Sequence, residues 1–193
     1  LKKIQPETVG GLKGFKGSLW EGGIRVPAII EWPSIIKHKI TSFPASTMDI
    51  FPTIADILGL TESDIQGPID GISLLSIFNS NIDKRNSPIP FRIDDKGALI
   101  DNNFKLVATS REEIKFELYD LQADPKETND ISSVNQDKFH ELITSYLNWN
   151  NSVDRSVEGK DYKEGHLLPQ PERHFWMRDD RYIPYMDELI RRP

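Results

Sequence analysis

The chain has 193 residues, of which 37% are hydrophobic and 28% charged, and this composition predicts a globular protein of one large or two small domains. Its formal net charge of −6 argues against general binding to nucleic acid or anionic membranes, which requires a basic surface. No apolar run approaches the roughly 20 residues that a membrane-spanning helix requires. The absence of cysteine excludes disulfides, a cysteine nucleophile and thiolate metal ligands.

The basic residues are concentrated near the amino end. Residues 1–40 contain seven Lys/Arg against three Asp/Glu, and the rest of the chain is acidic. The basic segment coincides with a glycine-rich stretch from Gly10 to Pro33, GGLKGFKGSLWEGGIRVPAIIEWP. Its glycines allow turns and positive φ values that other residues resist. A glycine loop with basic side chains beside a strand is typical of an anion site, and Lys16 is the candidate anion-binding residue.

The spacing in this stretch differs from that of a nucleotide-binding P-loop. A P-loop requires a glycine, four residues and then Gly-Lys-Ser/Thr, whereas Gly14-Phe15-Lys16-Gly17-Ser18 contains no Gly-Lys pair. The remaining interpretations of Lys16 are an ammonium that donates to one or two oxygens of a tetrahedral anion, and an ordinary solvated surface lysine.

The first half of the chain predicts one strand and one clear helix. Ile24–Ile30 is rich in β-branched residues and predicts a short buried strand. A helix over residues 49–58 is indicated by a cap at Thr47 or Asp49, a proline in the first turn and Gly59 at the end. The residues of its apolar face are Ile50, Phe51, Ile54, Ala55 and Leu58. The type of a short apolar element over Ile72–Phe78 stays open, and the stretch Asn79–Pro90 is a candidate domain boundary.

Beyond this boundary the pattern changes to short β-prone runs separated by turns, which predicts an antiparallel meander. The runs are Phe91–Ile93, Ala98–Ile100, Phe104–Thr109 and Phe116–Leu121. Asp124-Pro125-Lys126-Glu127 has the residue order of a capping box and predicts a short helical turn. A second helix is predicted over residues 135–150. Its apolar face, expected to pack across the meander, consists of Phe139, Leu142, Ile143, Tyr146 and Leu147.

Residues 151–193 show no sustained periodicity before Tyr182–Ile190, and we expect them to extend over a surface. Within them Arg173–Arg178 combines donors and aromatic rings, which fits either a carbohydrate contact or an extended tail pinned by its aromatic residues. The histidines of the chain are too scattered along the sequence to predict a metal site. They are His38, His140, His166 and His174.

The stretch Lys16–Pro27, KGSLWEGGIRVP, resembles the second signature of the type I sulfatases, the formylglycine-dependent branch of the alkaline phosphatase superfamily. Further parts of the family pattern follow in the family's order, so the resemblance covers about residues 10–129. They are Trp32-Pro33, the helix ending at Leu58-Gly59, Asp70–Leu75, Leu118–Leu121, Asp124-Pro125 and Glu127–Asn129.

The resemblance implies a sulfuric ester hydrolase that cleaves a sulfate ester to an alcohol and inorganic sulfate. It makes Lys16 a catalytic, substrate-binding lysine that contacts the sulfate. Trp20 either forms a wall of the substrate pocket or packs in the core. The family also implies calcium and a formylglycine made from the Cys or Ser of a C/S-x-P-x-R motif, but this motif and the Asp-Asn-Gly metal-ligand motif do not occur here. We therefore expect the carboxy-terminal portion of a sulfatase, with no metal site in these residues and no activity alone.

The expected fold is α/β. Residues 1–85 would end a catalytic domain built on a mixed sheet, and residues 86–193 would form an α+β subdomain with an antiparallel sheet, a packed helix and an extended tail. Glu21 and Arg25 are expected to form an internal ion pair. Expected partners are a sulfated small molecule or glycan and the missing amino-terminal part of the enzyme, and family resemblance suggests a periplasmic or extracellular location.

Two other functions stay open at this point. One is a phosphate or phosphonate ester hydrolase of the same superfamily, because related sites accept both kinds of tetrahedral anion. The other is a non-catalytic module that binds a sulfated glycan or a partner chain through the basic loop and the aromatic tail.

Overall fold

A computed structural model of the chain describes residues 9–65, 67–109, 115–161 and 183–185. The chain divides into two compact units, Leu1–Asn151 and Ser152–Pro193. The α-helices are α1 (Glu21–Ile24), α2 (Ile50–Ile57), α3 (Leu75–Asn79) and α4 (Gln136–Val157), and short 3-10 turns occupy Thr47–Asp49, Glu62–Asp64 and Ile183–Tyr185. The strands are β1 (Ile89–Ile93), β2 (Lys96–Asp101), β3 (Phe104–Ala108) and β4 (Phe116–Asp120). None of the helices in the described ranges is long and apolar enough to cross a membrane.

The four strands form one antiparallel sheet in the order β1-β2-β3-β4, which confirms the predicted meander. Asp94 and Asn102 adopt positive φ values of 50° and 53° in the tight connections, a conformation that Asp and Asn tolerate better than most residues. Phe104 pairs with Asp101 and with Asp120. This register places Lys105, Val107 and Tyr119 on one face of the sheet and Leu106 and Leu118 on the other.

Helix α4 covers one face of the sheet, as its apolar periodicity predicts. Leu142 and Tyr146 are buried, and Phe139 and Ile143 pack against the same core, whereas Leu147 stays 40% exposed. The helix extends beyond the predicted end at Asn150. The buried members of this core are Leu99, Leu106, Ala108, Leu118, Leu142 and Tyr146.

The glycine-rich loop covers the opposite face. Leu19 is buried in a cluster with Ala98, Val107 and Tyr119, and Trp20 packs against it. A sheet with both faces covered explains why β3 is apolar at almost every position. The packing also fixes where the loop lies, because its buried side chains belong to the core of the sheet.

Helix α2 forms where the sequence predicts it, and Gly59 ends it with a φ of 69°. Its predicted apolar face is wrong in one respect, since only Ala55 of that face is buried, and Phe51 is 55% exposed. The helix instead buries Thr53, whose hydroxyl donates to the Asp49 carbonyl at 2.6 Å and accepts the Leu74 N–H at 2.9 Å. The short apolar segment Ile72–Phe78, whose element type the sequence does not decide, leads into and forms most of helix α3.

The predicted buried strand over Ile24–Ile30 is wrong. Ile24 ends α1, and the following residues form no strand pairing in the described part of the chain. Val26 is 71% exposed and Ile29 is 94% exposed. Their β-branched composition favours extended backbone, but a strand also requires a hydrogen-bonding partner.

The predicted helical turn at Asp124–Glu127 is also wrong. The segment forms a turn in which the Glu127 N–H donates to the Asp124 carbonyl at 3.1 Å. The Asp124 carboxylate accepts from the N–H groups of Thr128 and Asn129. Glu127 adopts a φ of 54° and turns its side chain into the interior, so it cannot complete a capping box.

Candidate functional site

The site predicted from the sequence is a closed loop with Lys16 at its tip. The Gly22 N–H donates to the Lys13 carbonyl at 2.8 Å and closes the base of the loop. Near the tip, the Ser18 N–H donates to the Phe15 carbonyl at 2.9 Å, and the Phe15 N–H donates to Ser18 Oγ at 3.1 Å. These bonds fix the turn that contains Lys16.

Glycine is required at two points of this loop for different reasons. Gly17, next to Lys16, has a φ of 90°, which is left-handed backbone that a side chain would strain. Gly22 is a close approach, because a Cβ there would lie 2.6 Å from the carbonyl oxygens of Lys13 and Gly14. The glycine content therefore provides both the turn at the tip and the closure at the base.

The two lysines of the loop have different environments. Lys16 is exposed, and its ammonium forms no hydrogen bond or ion pair with any residue that the structure describes. Lys13 Nζ donates to the Glu127 carbonyl at 3.1 Å and to the Tyr119 hydroxyl at 3.4 Å, and it lies 3.4 Å from the centre of the Trp20 ring. Lys13 is therefore an internal contact, and Lys16 is the loop lysine whose charge is available to a ligand.

Trp20 is half-buried and contacts Tyr119 edge to face, with the ring centroids 5.7 Å apart. Lys13 occupies a position over the Trp20 ring. These contacts give Trp20 a packing role between loop and sheet, and its predicted contact with substrate remains a prediction.

Three buried charged residues connect the base of the loop to the sheet. The ammonium of Lys105, on β3, lies 3.0 Å from Glu21 Oε1 and 2.7 Å from Glu127 Oε1. The second oxygen of Glu127 accepts the Glu21 N–H at 2.7 Å. The side chains of Lys105 and Glu127 are fully buried and that of Glu21 is 6% exposed. We call Glu21, Lys105 and Glu127 the loop-base cluster.

The expected ion pair between Glu21 and Arg25 is present but peripheral. Its shortest contact is 3.9 Å, and the Arg25 side chain is 58% exposed. The sequence predicts the contact between Glu21 and Arg25 because residues four apart face each other on a helical turn. It missed Lys105, which is 84 residues away in the chain and meets Glu21 only through the fold.

Burial shapes the protonation of this region. Desolvation raises the pKa of Glu127, although the Lys105 ammonium and the Glu21 N–H act in the opposite direction. Burial also raises the pKa of Tyr119, with a further increase from its hydrogen bond to Glu117. The Tyr119 hydroxyl donates this bond at 2.7 Å and thus keeps its proton, while its oxygen accepts from Lys13.

A second buried ion pair lies away from the loop. Arg85 donates to both oxygens of Asp49, at 2.7 and 2.9 Å. The same carboxylate accepts the N–H groups of Ser46 at 2.7 Å and Ile72 at 2.8 Å. This pair ties the start of α2 to the segment that leads into β1.

The described ranges bring together no group of three or more potential metal ligands. The chain also lacks cysteine and the C/S-x-P-x-R motif. These residues therefore do not fit calcium or a formylglycine. His166, His174 and the stretch Arg173–Arg178 lie outside the described residues.

Comparison with known sequences identifies a family. The family model described as N-sulphoglucosamine sulphohydrolase, C-terminal, matches residues 14–152. Human steryl-sulfatase is 29% identical over 177 residues, which is 73% of this chain and 30% of that protein. A sulfatase from Formosa agariphila is 30% identical over 154 residues, covering 67% of this chain and 27% of that protein.

Comparison with solved structures agrees. The crystal structure of Ps i-CgsB is 27% identical, covers 72% of this chain and 31% of its own, and gives a TM-score of 0.63. The chain thus spans about a third of the length of these relatives. Because the family model covers most of the chain, including the Lys16 loop, the meander and most of α4, this chain belongs to the family of the carboxy-terminal region of N-sulphoglucosamine sulphohydrolase, within the sulfatase-like hydrolases.

Proposed function

We propose that this chain supplies Lys16 to the active site of a sulfatase, which hydrolyses a sulfate ester to an alcohol and inorganic sulfate. The observation that supports this role is the exposed ammonium of Lys16, without a partner in the described residues, at the tip of a loop whose base is buried. The other lysine of the loop, Lys13, already donates a hydrogen bond to the Glu127 carbonyl.

The chemistry required of Lys16 is electrostatic. As the ester bond between sulfur and the bridging oxygen breaks, negative charge builds on that oxygen and on the sulfuryl oxygens. A compact ammonium has three donors and stabilises this charge best when it is held in place before the reaction begins. The hydrogen-bonded turn at Phe15–Ser18 supports this role, because it fixes the backbone from which the Lys16 side chain extends.

The remaining catalytic groups belong to other parts of the protein in this proposal. The sulfatase family implies calcium and a formylglycine, but the described residues bring together no set of calcium ligands and the sequence lacks the C/S-x-P-x-R motif. We assign both to the larger part of the relatives' length that this chain does not match, and the isolated chain is therefore proposed to be inactive. The exposed apolar residues Ile29, Phe51 and Ile54 would face that part, with residues 1–85 completing the catalytic domain.

The proposed substrate class is a sulfated small molecule or glycan. Steryl-sulfatase supports a sulfated small molecule by its name, and Ps i-CgsB, whose structure contains k-i-k-neocarrahexaose, supports a glycan. A periplasmic or extracellular location is part of the same proposal.

The test uses the intact protein that contains these residues, with para-nitrophenyl sulfate as substrate. Replacing Lys16→Ala should lower kcat/KM by about 100- to 1,000-fold, the loss typical of removing one preorganised charge stabiliser. Lys37→Ala, which removes an exposed lysine outside the loop, is the matched control and should leave turnover unchanged. Wild-type turnover by a folded Lys16→Ala protein would overturn the proposal.

A further inference from the structure

The loop-base cluster is placed where it can control the position of Lys16. Glu21 is the first residue of α1 and directly precedes Gly22, whose N–H closes the loop onto Lys13. Glu127 accepts the backbone N–H of Glu21 and, through its carbonyl, a bond from Lys13. Both ends of the closed loop are therefore attached to the same buried residue.

The sheet provides the fixed end of this attachment. Lys105 is the second residue of β3, pairs with Ile100 and Tyr119 in the neighbouring strands, and is fully buried. Its ammonium contacts a carboxylate from the loop and a carboxylate from the turn after β4. A rigid strand thus sets the position of both carboxylates, and through them the base of the loop.

The loop-base cluster costs more free energy to bury than apolar side chains of the same volume. It contains two carboxylates and one ammonium, and Glu127 also adopts left-handed backbone, which costs about 1 kcal/mol for a residue with a side chain. Buried ion pairs add little stability compared with apolar residues of the same volume, although they can fix one geometry among several. The arrangement is therefore better suited to orientation than to stability.

We infer that Glu21, Lys105 and Glu127 are positioning residues, which hold the loop so that Lys16 meets the sulfate group at the correct place. This inference rests on the proposed function of Lys16. None of the three residues touches the substrate; they act through the backbone of residues 13–22.

The test compares two double variants of the intact protein, each of which replaces one buried ion pair by apolar residues. The first is Lys105→Met with Glu127→Met, and the control is Arg85→Met with Asp49→Leu. The control leaves the N–H groups of Ser46 and Ile72 without an acceptor, and the cluster variant leaves the Glu21 carboxylate without Lys105, so both variants are assayed under conditions in which circular dichroism shows them fully folded.

The first readout is the kinetics of para-nitrophenyl sulfate hydrolysis. The cluster variant should lose about 10- to 100-fold in kcat with little change in KM, because a small displacement of a transition-state stabiliser is costly. The control should keep the kcat of the wild type. Equal losses in the two variants, or none in the cluster variant, would overturn the inference.

The second readout is independent of catalysis. Hydrogen–deuterium exchange of the N–H groups of Ser18 and Gly22 should become faster in the cluster variant and stay unchanged in the control. Unchanged exchange in the cluster variant would overturn the inference even if activity fell. If the wild-type protein hydrolyses no sulfate ester, the proposed function fails, and exchange still decides whether the cluster holds the loop.

Discussion

Two buried ionic groups that differ in charge balance stabilise different parts of this molecule. The pair Asp49–Arg85 has one charge of each sign, and both carboxylate oxygens accept two bonds. The loop-base cluster has one ammonium for two carboxylates. The first arrangement is a neutral ion pair that joins two segments of the fold. The second keeps an excess negative charge in the interior beside the proposed catalytic loop.

The pKa shifts follow the same contrast. Desolvation opposes the charge of Asp49, but the bonds from Arg85, Ile72 and Ser46 outweigh it and lower its pKa. In Glu127 desolvation outweighs the attraction of Lys105 and raises the pKa. Both side chains are excluded from solvent, but their pKa values shift in opposite directions, because desolvation of Glu127 is stronger than its donors can offset and the neighbouring Glu21 carboxylate adds to it.

The largest expected effect comes from removing the single cation of the cluster. Lys105→Met leaves two carboxylates buried without a cation, and we expect a loss of about 3–5 kcal/mol in the free energy of unfolding. Arg85→Met should cost less, because Asp49 keeps its two N–H donors. Urea denaturation of the chain measures both. A larger loss in the Arg85 variant would show that the excess of carboxylates in the cluster does not determine the cost of removing its cation.

Neutralising one acid in the Asp49–Arg85 pair and one in the loop-base cluster should change the free energy of unfolding by different amounts. Asp49→Asn replaces an acceptor by a donor that faces Arg85 or an N–H group, and should cost about 1–3 kcal/mol. Glu21→Gln leaves one ammonium with one carboxylate in the cluster, and the free energy of unfolding should stay within about 1 kcal/mol of the wild type. Similar losses in the two variants would show that charge balance is not what distinguishes the regions.

The two acids should also give opposite pH dependence. Asp49 has a folded pKa below its ordinary value of 3.8, so its stabilisation is present above that pH and is lost as the pH falls through the folded pKa. Glu127 has a folded pKa above 4.5, so its contribution is fully present below 4.5 and is lost as the pH rises through the folded value.

Unfolding free energies of Asp49→Asn and Glu127→Gln, measured against pH beside the wild type, separate the two contributions. The deficit of the Asp49 variant should grow with rising pH, and that of the Glu127 variant should shrink. Parallel curves for all three proteins would contradict this assignment.

The smallest effect is expected at the rim of the cluster. Arg25 is largely exposed and lies 3.9 Å from Glu21, so Arg25→Ala should change the free energy of unfolding by less than about 0.5 kcal/mol. A loss comparable with that of Lys105→Met would mean that the peripheral contact, rather than the buried one, determines the stability of the loop.

The sequence predicts local elements well and long-range contacts poorly. The meander and the α4 face at Leu142 and Tyr146 are found correctly because alternation and helical periodicity are visible within a few residues. The strand at Ile24–Ile30 is wrong because composition indicates extended backbone but not a partner.

The candidate site shows the same division. Lys16 and the glycine turns are identifiable in one short stretch, whereas the loop-base cluster joins three distant segments. One signal was available for Lys105: its neighbours on the same face of the sheet, Val107 and Ala98, are apolar, which indicates that the face is covered. A lysine on a covered face requires a buried acid, but nothing local says which one.

The role of Lys16 can be measured as the ratio of wild-type to Lys16→Ala turnover in the intact protein, with para-nitrophenyl sulfate and with phenyl sulfate as substrates. Phenolate is the stronger base of the two leaving groups, so more charge on the bridging oxygen requires stabilisation. We predict a loss of at least about 100-fold with the first ester and a larger loss with the second. No loss of turnover with either ester would show that Lys16 does not stabilise the charge that develops as the sulfate ester breaks.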